Sequence, residues 1–153
     1  MIVGPGWMDV KPSRKTALAI QSWATRVCDF IRIEKANELH ITQLFIGGDN
    51  RYPIVPNKNR SYSCRFNDVA LFGDTNGALV LKVTSPSLHI RFREFEKVGY
   101  KHTYPSYEPH ITLLEGATAS DLNTARHHLG KLRELVPIFT VQGETFHKSK
   151  KSD

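Results

Sequence analysis

Apolar positions recur along this chain with two periods, and the switches between them predict its elements. Trp7–Lys11 alternates and stops at Pro12-Ser13, the pattern of a short strand. Leu18, Ile20, Ala24, Val27 and Ile31 then follow helical spacing, so a helix is expected from about Arg14 to Ile33 with Ser13 as its N-cap. Glu38-Leu39-His40-Ile41-Thr42-Gln43-Leu44-Phe45-Ile46 is a β-branched and aromatic run closed by Gly47-Gly48-Asp49-Asn50, again a strand. From Arg51 to Val83 the pattern is entirely β. Ser61–Phe66 alternates, Val69–Phe72 continues it, Asp74-Thr75-Asn76-Gly77 is a hairpin tip, and Ala78–Val83 returns. Ser85-Pro86 opens a second helix as N-cap and N1, Leu88, Phe92 and Phe95 form its buried stripe, and Gly99 suits the C′ position. A loop over 100–109 delivers a strand at His110, a third helix runs from about Ser120 to Val136 with Leu122, Ala125, Leu129 and Leu132 inward, and a last strand covers Ile138–Phe146. The expected order is β-α-β-β-β-β-α-β-α-β.

One tripeptide occurs twice on these strands. His40-Ile41-Thr42 and His110-Ile111-Thr112 are 70 residues apart, and each follows a helix. Because side chains alternate along a strand, His and Thr two positions apart share a face. If the two strands lie side by side, two imidazoles and two hydroxyls line one surface, an acid/base pair with a phosphate clamp. Division near Asn76 gives two similar halves, as in a duplicated unit with a pseudo-two-fold axis.

Composition narrows the class. With 153 residues, 40% hydrophobic and 24% charged, the chain is expected to be one globular domain over residues 1–147, with a basic, flexible tail over 148–153. The net charge of +6 is mild and partly carried by Lys148, Lys150 and Lys151, so a small anionic ligand fits better than a long nucleic acid. Cys28 and Cys64 have neither metal-ligand nor disulfide spacing, Met1–Trp7 lacks the basic and apolar regions of a signal peptide so none is expected, and no apolar run approaches the roughly 20 residues of a membrane span. A reduced, cytoplasmic protein without metal, cofactor or membrane partner is expected.

The paired His-x-Thr strands resemble those of the 2H phosphoesterase superfamily. Leu79–Leu88, Val98-Gly99, Tyr104–Thr112 and Gly143-Glu144 resemble in particular its phage-encoded anti-CBASS nucleases, which degrade the cyclic oligonucleotide signals of bacterial defence. The likeness spans roughly Gly6 to Glu144. It implies a two-lobed α+β fold, antiparallel sheets with helices packed outside and a central cleft. It also implies His40, Thr42, His110 and Thr112 as the catalytic tetrad, Glu144 as an acidic residue near a nucleotide, and Phe72 as a base-stacking ring where members often have Trp. Trp7 is the available aromatic where the family places another stacking ring. Tyr104 and Tyr107, beside the second motif, are further binding candidates.

The implied reaction is metal-independent cleavage of 3′–5′ linkages in cyclic di- or trinucleotides, through 2′-hydroxyl attack and a 2′,3′-cyclic phosphate. Histidine suits both proton transfers because its ordinary pKa, about 6.5, allows either form near neutrality. The threonine hydroxyls would hold the non-bridging oxygens. Which histidine is base is open at this point. Two alternatives remain: an RNA 2′,3′-cyclic phosphodiesterase or RNA-end processing enzyme, and a sponge that binds the messenger without cutting it. His89, His127 and His128 read as packing or solvated residues, while His102 and His147 could reach a substrate. Lys11, Arg60, Arg65 and Lys101 could meet a second phosphate, although a solvated surface role is the default for each.

Overall fold

The computed structural model describes residues 1–73 and 77–150. Eight strands and three helices follow in the order β1 (Ile2–Val3), β2 (Gly6–Pro12), α1 (Arg14–Ser22), β3 (Ile41–Ile46), β4 (Arg51–Tyr52), β5 (Ser61–Phe72), β6 (Ala78–Thr84), α2 (Pro86–Lys97), β7 (His110–Leu114), α3 (Ala119–Leu135) and β8 (Phe139–Lys148). β1 and β4 form a small ribbon of their own. The other six strands are antiparallel and close in the order β2-β3-β7-β6-β5-β8. Two three-stranded halves can be recognised in this ring, β8-β2-β3 and β7-β6-β5. Four pairs from Ser61↔Gln142 to Cys64↔Phe139 join them on one side, and Ile41↔Ile111 joins them on the other. This is the expected α+β architecture with one His-x-Thr strand in each lobe, but the lobes are not the two sequence halves divided near Asn76: β5 precedes that point and lies with β6 and β7, while β8 follows it and lies with β2 and β3.

Local chemistry explains most boundaries. Ser85 Oγ accepts from the Leu88 N–H, Pro86 takes the position whose N–H would have no partner, and Gly99 has φ 101° just past the C-cap, so α2 starts and stops where its sequence dictates. Leu88, Phe92 and Phe95 are buried as its stripe. Thr118 and Asp121 form a reciprocal capping box at the start of α3, whose Ala125, Leu129 and Leu132 face inward.

Four expectations are corrected. The first helix ends as a π-helical turn over Trp23–Val27 instead of reaching Ile33. Asp29, at φ 58°, turns the chain so that Phe30 is buried and Ile31 is left 90% exposed. Trp23 becomes the anchor, fully enclosed with its Nε1–H donating to the His128 carbonyl at 2.9 Å, while Leu18 lies on the open side. Second, the stretch 53–60 is not strand. Pro53 and Pro56 lack the N–H a ladder needs, and Asn57 Oδ1 caps the N–H groups of Asn59 and Arg60 in a turn. Third, β8 runs on to Lys148 and the Ser149 N–H donates to the Pro5 carbonyl, so the tail is tied down at its start. Fourth, the short strand β1 was not foreseen. The expected tail beyond Lys150, and all of the hairpin tip except Gly77, lie outside the described residues; Phe72↔Ala78 is the last pair before the tip.

The core has two parts. Val10, Ile41, Ile111 and Leu81 pack with Ile20 of α1, Trp23 of the π-helical turn and Leu129 of α3, while Met8, Leu44 and Ile46 pack beneath Phe92 and Phe95 of α2. Cys28 and Cys64 are buried free thiols, pushed up to about 11 by burial and therefore unreactive near neutrality. Among the described residues no helix is long and apolar enough to cross a membrane.

Candidate active site

β3 and β7 are neighbours, with Ile41 opposite Ile111. Both isoleucines are fully buried, so the residues on either side of them point to the opposite face. Antiparallel register then sets Thr42 beside His110 and His40 beside Thr112, a square with the two histidines on one diagonal. The four residues expected as a tetrad are thereby brought together.

The two histidines are held identically. His40 Nδ1 lies 2.7 Å from the Glu38 carbonyl, and His110 Nδ1 lies 2.8 Å from the Glu108 carbonyl. A carbonyl only accepts, so each Nδ1 carries the proton in this bond. That leaves each Nε2 with a lone pair when the ring is neutral and an N–H when it is charged. The duplicated unit is thus Glu-x-His-Ile-Thr, two residues longer than the tripeptide, and the extra glutamate contributes through its backbone. Burial pushes His110 below the ordinary histidine range, and the positive charges available at His40 and Lys82 push the same way against Glu108. His110 is therefore neutral at pH 7.

A cavity of about 370 Å³, large enough for a nucleoside, opens over one side of this square, lined by Thr42 and His110 but not by His40 or Thr112. Thr42 and His110 form its floor, with Phe45, Phe72, Tyr104 and Glu108 around them. Phe72 meets His110 edge to face, with ring centroids 4.7 Å apart, so this predicted ring is in the site. Tyr107 also lines the cavity, yet one face of its ring lies flat on Phe92 at 4.6 Å and its hydroxyl donates to the Thr42 carbonyl. It is a wall and a brace for β3. Tyr100 reinforces the same strand, its hydroxyl accepting from the Phe45 N–H and donating to the Phe45 carbonyl.

Trp7 is one strand away. It is the cross-strand partner of Phe45, stacks on His147 at 5.0 Å, and its Nε1–H reaches Asp9 Oδ2 at 3.3 Å. It does not line this cavity. His147 likewise bonds Asp9, and His102 is held by the Tyr104 carbonyl and Glu96.

Glu144, expected to lie near a nucleotide, sits in the interior of this structure as an anchor. It has no exposed surface. Its two oxygens accept from Arg91 Nε and Nη2, the Tyr62 hydroxyl, the Gln43 amide and the Asn57 N–H. Burial alone would raise its pKa, but these donors outweigh it and hold the carboxyl below the usual range.

Sequence reasoning missed Phe45 and Glu108 as cavity walls and Asp9 as the buried carboxylate opposite Thr42. Glu108 carried a signal, since Glu38 and Glu108 precede the two histidines at equal distance. Asp9 carried one in sitting on an otherwise apolar-alternating strand. Among the described residues no group of three or more His, Cys, Asp or Glu is arranged to hold a metal ion.

Known proteins resemble this chain in sequence pattern and in fold. A family model described as anti-CBASS protein Acb1 matches residues 5–136. No curated protein matches the chain. Among solved structures, E. coli LigT complexed with 3′-AMP superposes with a TM-score of 0.56 at 14% identity, covering 99% of this chain and 91% of LigT. LigT complexed with ATP gives 0.51 at 14% identity over 98% and 89%, and a protein solved as a phosphoesterase gives 0.51 at 17% identity over 76% and 75%. At these identities the likeness establishes a shared fold.

Proposed function

Because the chain belongs to the anti-CBASS Acb1 family, we propose that it is a phosphodiesterase that linearises cyclic di- and trinucleotide messengers in the cytoplasm of an infected bacterium. The observation that carries this reading is the His/Thr square, in which both imidazoles are bonded at Nδ1 and leave Nε2 for chemistry.

His110, held neutral, accepts the 2′-hydroxyl proton at Nε2 as O2′ bonds to phosphorus. The P–O5′ bond breaks, and His40 as imidazolium donates its Nε2 proton to the departing O5′. Thr42 and Thr112 donate to the non-bridging oxygens, which carry the developing charge. The product is a 2′,3′-cyclic phosphate, with His110 now charged and His40 neutral. Water attack reverses the roles: His40 takes the water proton, His110 protonates the departing O2′, and both return to their starting forms. Every proton has a donor and an acceptor among these residues, and none of the steps calls for a metal ion.

The test is incubation with cyclic di- and trinucleotides in EDTA, beside an oligonucleotide ending in a 2′,3′-cyclic phosphate, read by mass spectrometry. Linear products from the rings support the reading. Rings bound but intact would make the protein a sponge, and turnover of the oligonucleotide alone would make it an RNA-end enzyme.

Two further outcomes are expected. The acid-side rise of kcat/KM should centre below the ordinary histidine value of about 6.5, because the base is the buried His110, faced by Phe72, Lys82, Glu108 and His40. A rise centred above that value would exchange base and acid. Phe72→Ala should raise KM by about tenfold through loss of a stacking ring, while Phe72→Trp should not; steady-state kinetics on one ring decides it.

A further inference from the structure

The square has two lysines at its outer corners. Lys82 on β6 is the direct cross-strand partner of His110. Val10↔Ile41 is the last pair of the β2–β3 ladder, and the next residues on the two strands are Lys11 and His40. Val10 and Ile41 are both fully buried, so Lys11 and His40 turn to the opposite face together. One row across the surface therefore reads Lys11, His40, Thr112, and the other reads Thr42, His110, Lys82.

Each ammonium is also held by the segment that orients its histidine. Lys11 Nζ donates to the Asn37 carbonyl at 3.0 Å, one residue before the Glu38 carbonyl that fixes His40. Lys82 Nζ meets Glu108 Oε1 at 3.3 Å, on the residue whose carbonyl fixes His110. The duplication thus extends to a cation on the adjoining strand. An ammonium has three donors, so both lysines keep donors for a ligand. The Lys82–Glu108 pair is half exposed and weakly bound, and phosphate can replace the carboxylate with little loss.

We propose that Lys11 and Lys82 bind the phosphates that flank the scissile one, one lysine on each side. The inference rests on the phosphodiesterase reading and deepens it. The enzyme selects substrates carrying a phosphate beyond the bond being cut, and the pseudo-two-fold repeat supplies a cation whichever way the strand enters. A cyclic trinucleotide engages both lysines at once. A nucleoside 2′,3′-cyclic monophosphate, having no flanking phosphate, engages neither.

Lys11→Met and Lys82→Met, each paired with the arginine variant, test this against a cyclic trinucleotide and a nucleoside 2′,3′-cyclic monophosphate. Each methionine should raise KM for the ring about tenfold, the loss of one charged hydrogen bond. The kcat should stay nearly unchanged for Lys11→Met, and for Lys82→Met on the pH plateau where His110 is neutral with or without the lysine charge. The monophosphate should behave as with wild type, and arginine should restore ring binding. Calorimetric Kd values in a His40→Ala background read the same loss without turnover. Parallel losses for both ligands would reduce the lysines to braces for the histidines and overturn the proposal, as would unchanged KM and Kd for the ring. A wild type that binds the ring without cutting it would sink the phosphodiesterase reading alone, since the Kd values still decide the lysines. Absence of ring binding would remove both.

Discussion

Replacing either His40 or His110 with alanine is expected to lower turnover of a cyclic dinucleotide by about 10²–10⁴-fold, the range contributed by a positioned acid or base. The two losses should be of similar size, because the mechanism uses each ring once as acid and once as base. Folding should survive both changes. Each ring makes one hydrogen bond, to a backbone carbonyl at the end of its own turn, and neither belongs to the apolar clusters of the core. Ligand affinity should change far less than rate for His40→Ala, since His40 is not part of the cavity wall, and somewhat more for His110→Ala, which removes part of the floor. Mass spectrometry of the ring and circular dichroism of the variants separate the two effects. A loss confined to one histidine would break the two-imidazole scheme.

Arg91→Met is expected to be the most damaging change away from the square, lowering unfolding free energy by about 3–5 kcal/mol, because it strands a buried carboxylate. Glu144 has no exposed surface, and Arg91 gives it two of its hydrogen bonds while also reaching Glu94 and the Val55 carbonyl. These contacts tie α2 to β8 and to the irregular stretch 53–60, which has no ladder to hold it. The same carboxyl makes stability depend on pH. Its folded pKa lies below its unfolded one, so its contribution is fully present above about 4.3 and is lost as pH falls through the depressed folded value. Urea unfolding at pH 7 and at successively lower pH reads both. A stable Arg91→Met protein would show that the remaining donors suffice for Glu144.

The parts of the fold legible in the sequence are those written in neighbouring residues. Ser85-Pro86 and Gly99 mark the ends of α2, and the spacing of His40 and Thr42 assigns them to one face without reference to anything distant. The square could be anticipated because the same words occur twice. Glu144 could not be understood that way, since its partners come from positions 43, 57, 62 and 91, and only the closed ring of strands brings them together. The end of the first helix was hidden for a related reason. Val27 and Ile31 continue the helical period, but Trp23 reaches the His128 carbonyl of α3, and the turn at Asp29 buries Phe30 in preference to Ile31. Trp7 lies on the strand next to the cavity, opposite Phe45, a separation that local pattern does not resolve.

The junction of the two halves on the catalytic side is a single pair, Ile41↔Ile111, whereas four pairs lace the opposite side. The acid and the base thus stand on separate halves that share many ladder bonds at the back of the barrel and few at the front. The gap between His40 and His110 is therefore set by one ladder pair and by the Tyr107 hydroxyl on the Thr42 carbonyl, so a change at Tyr107 acts on the distance that proton transfer depends on.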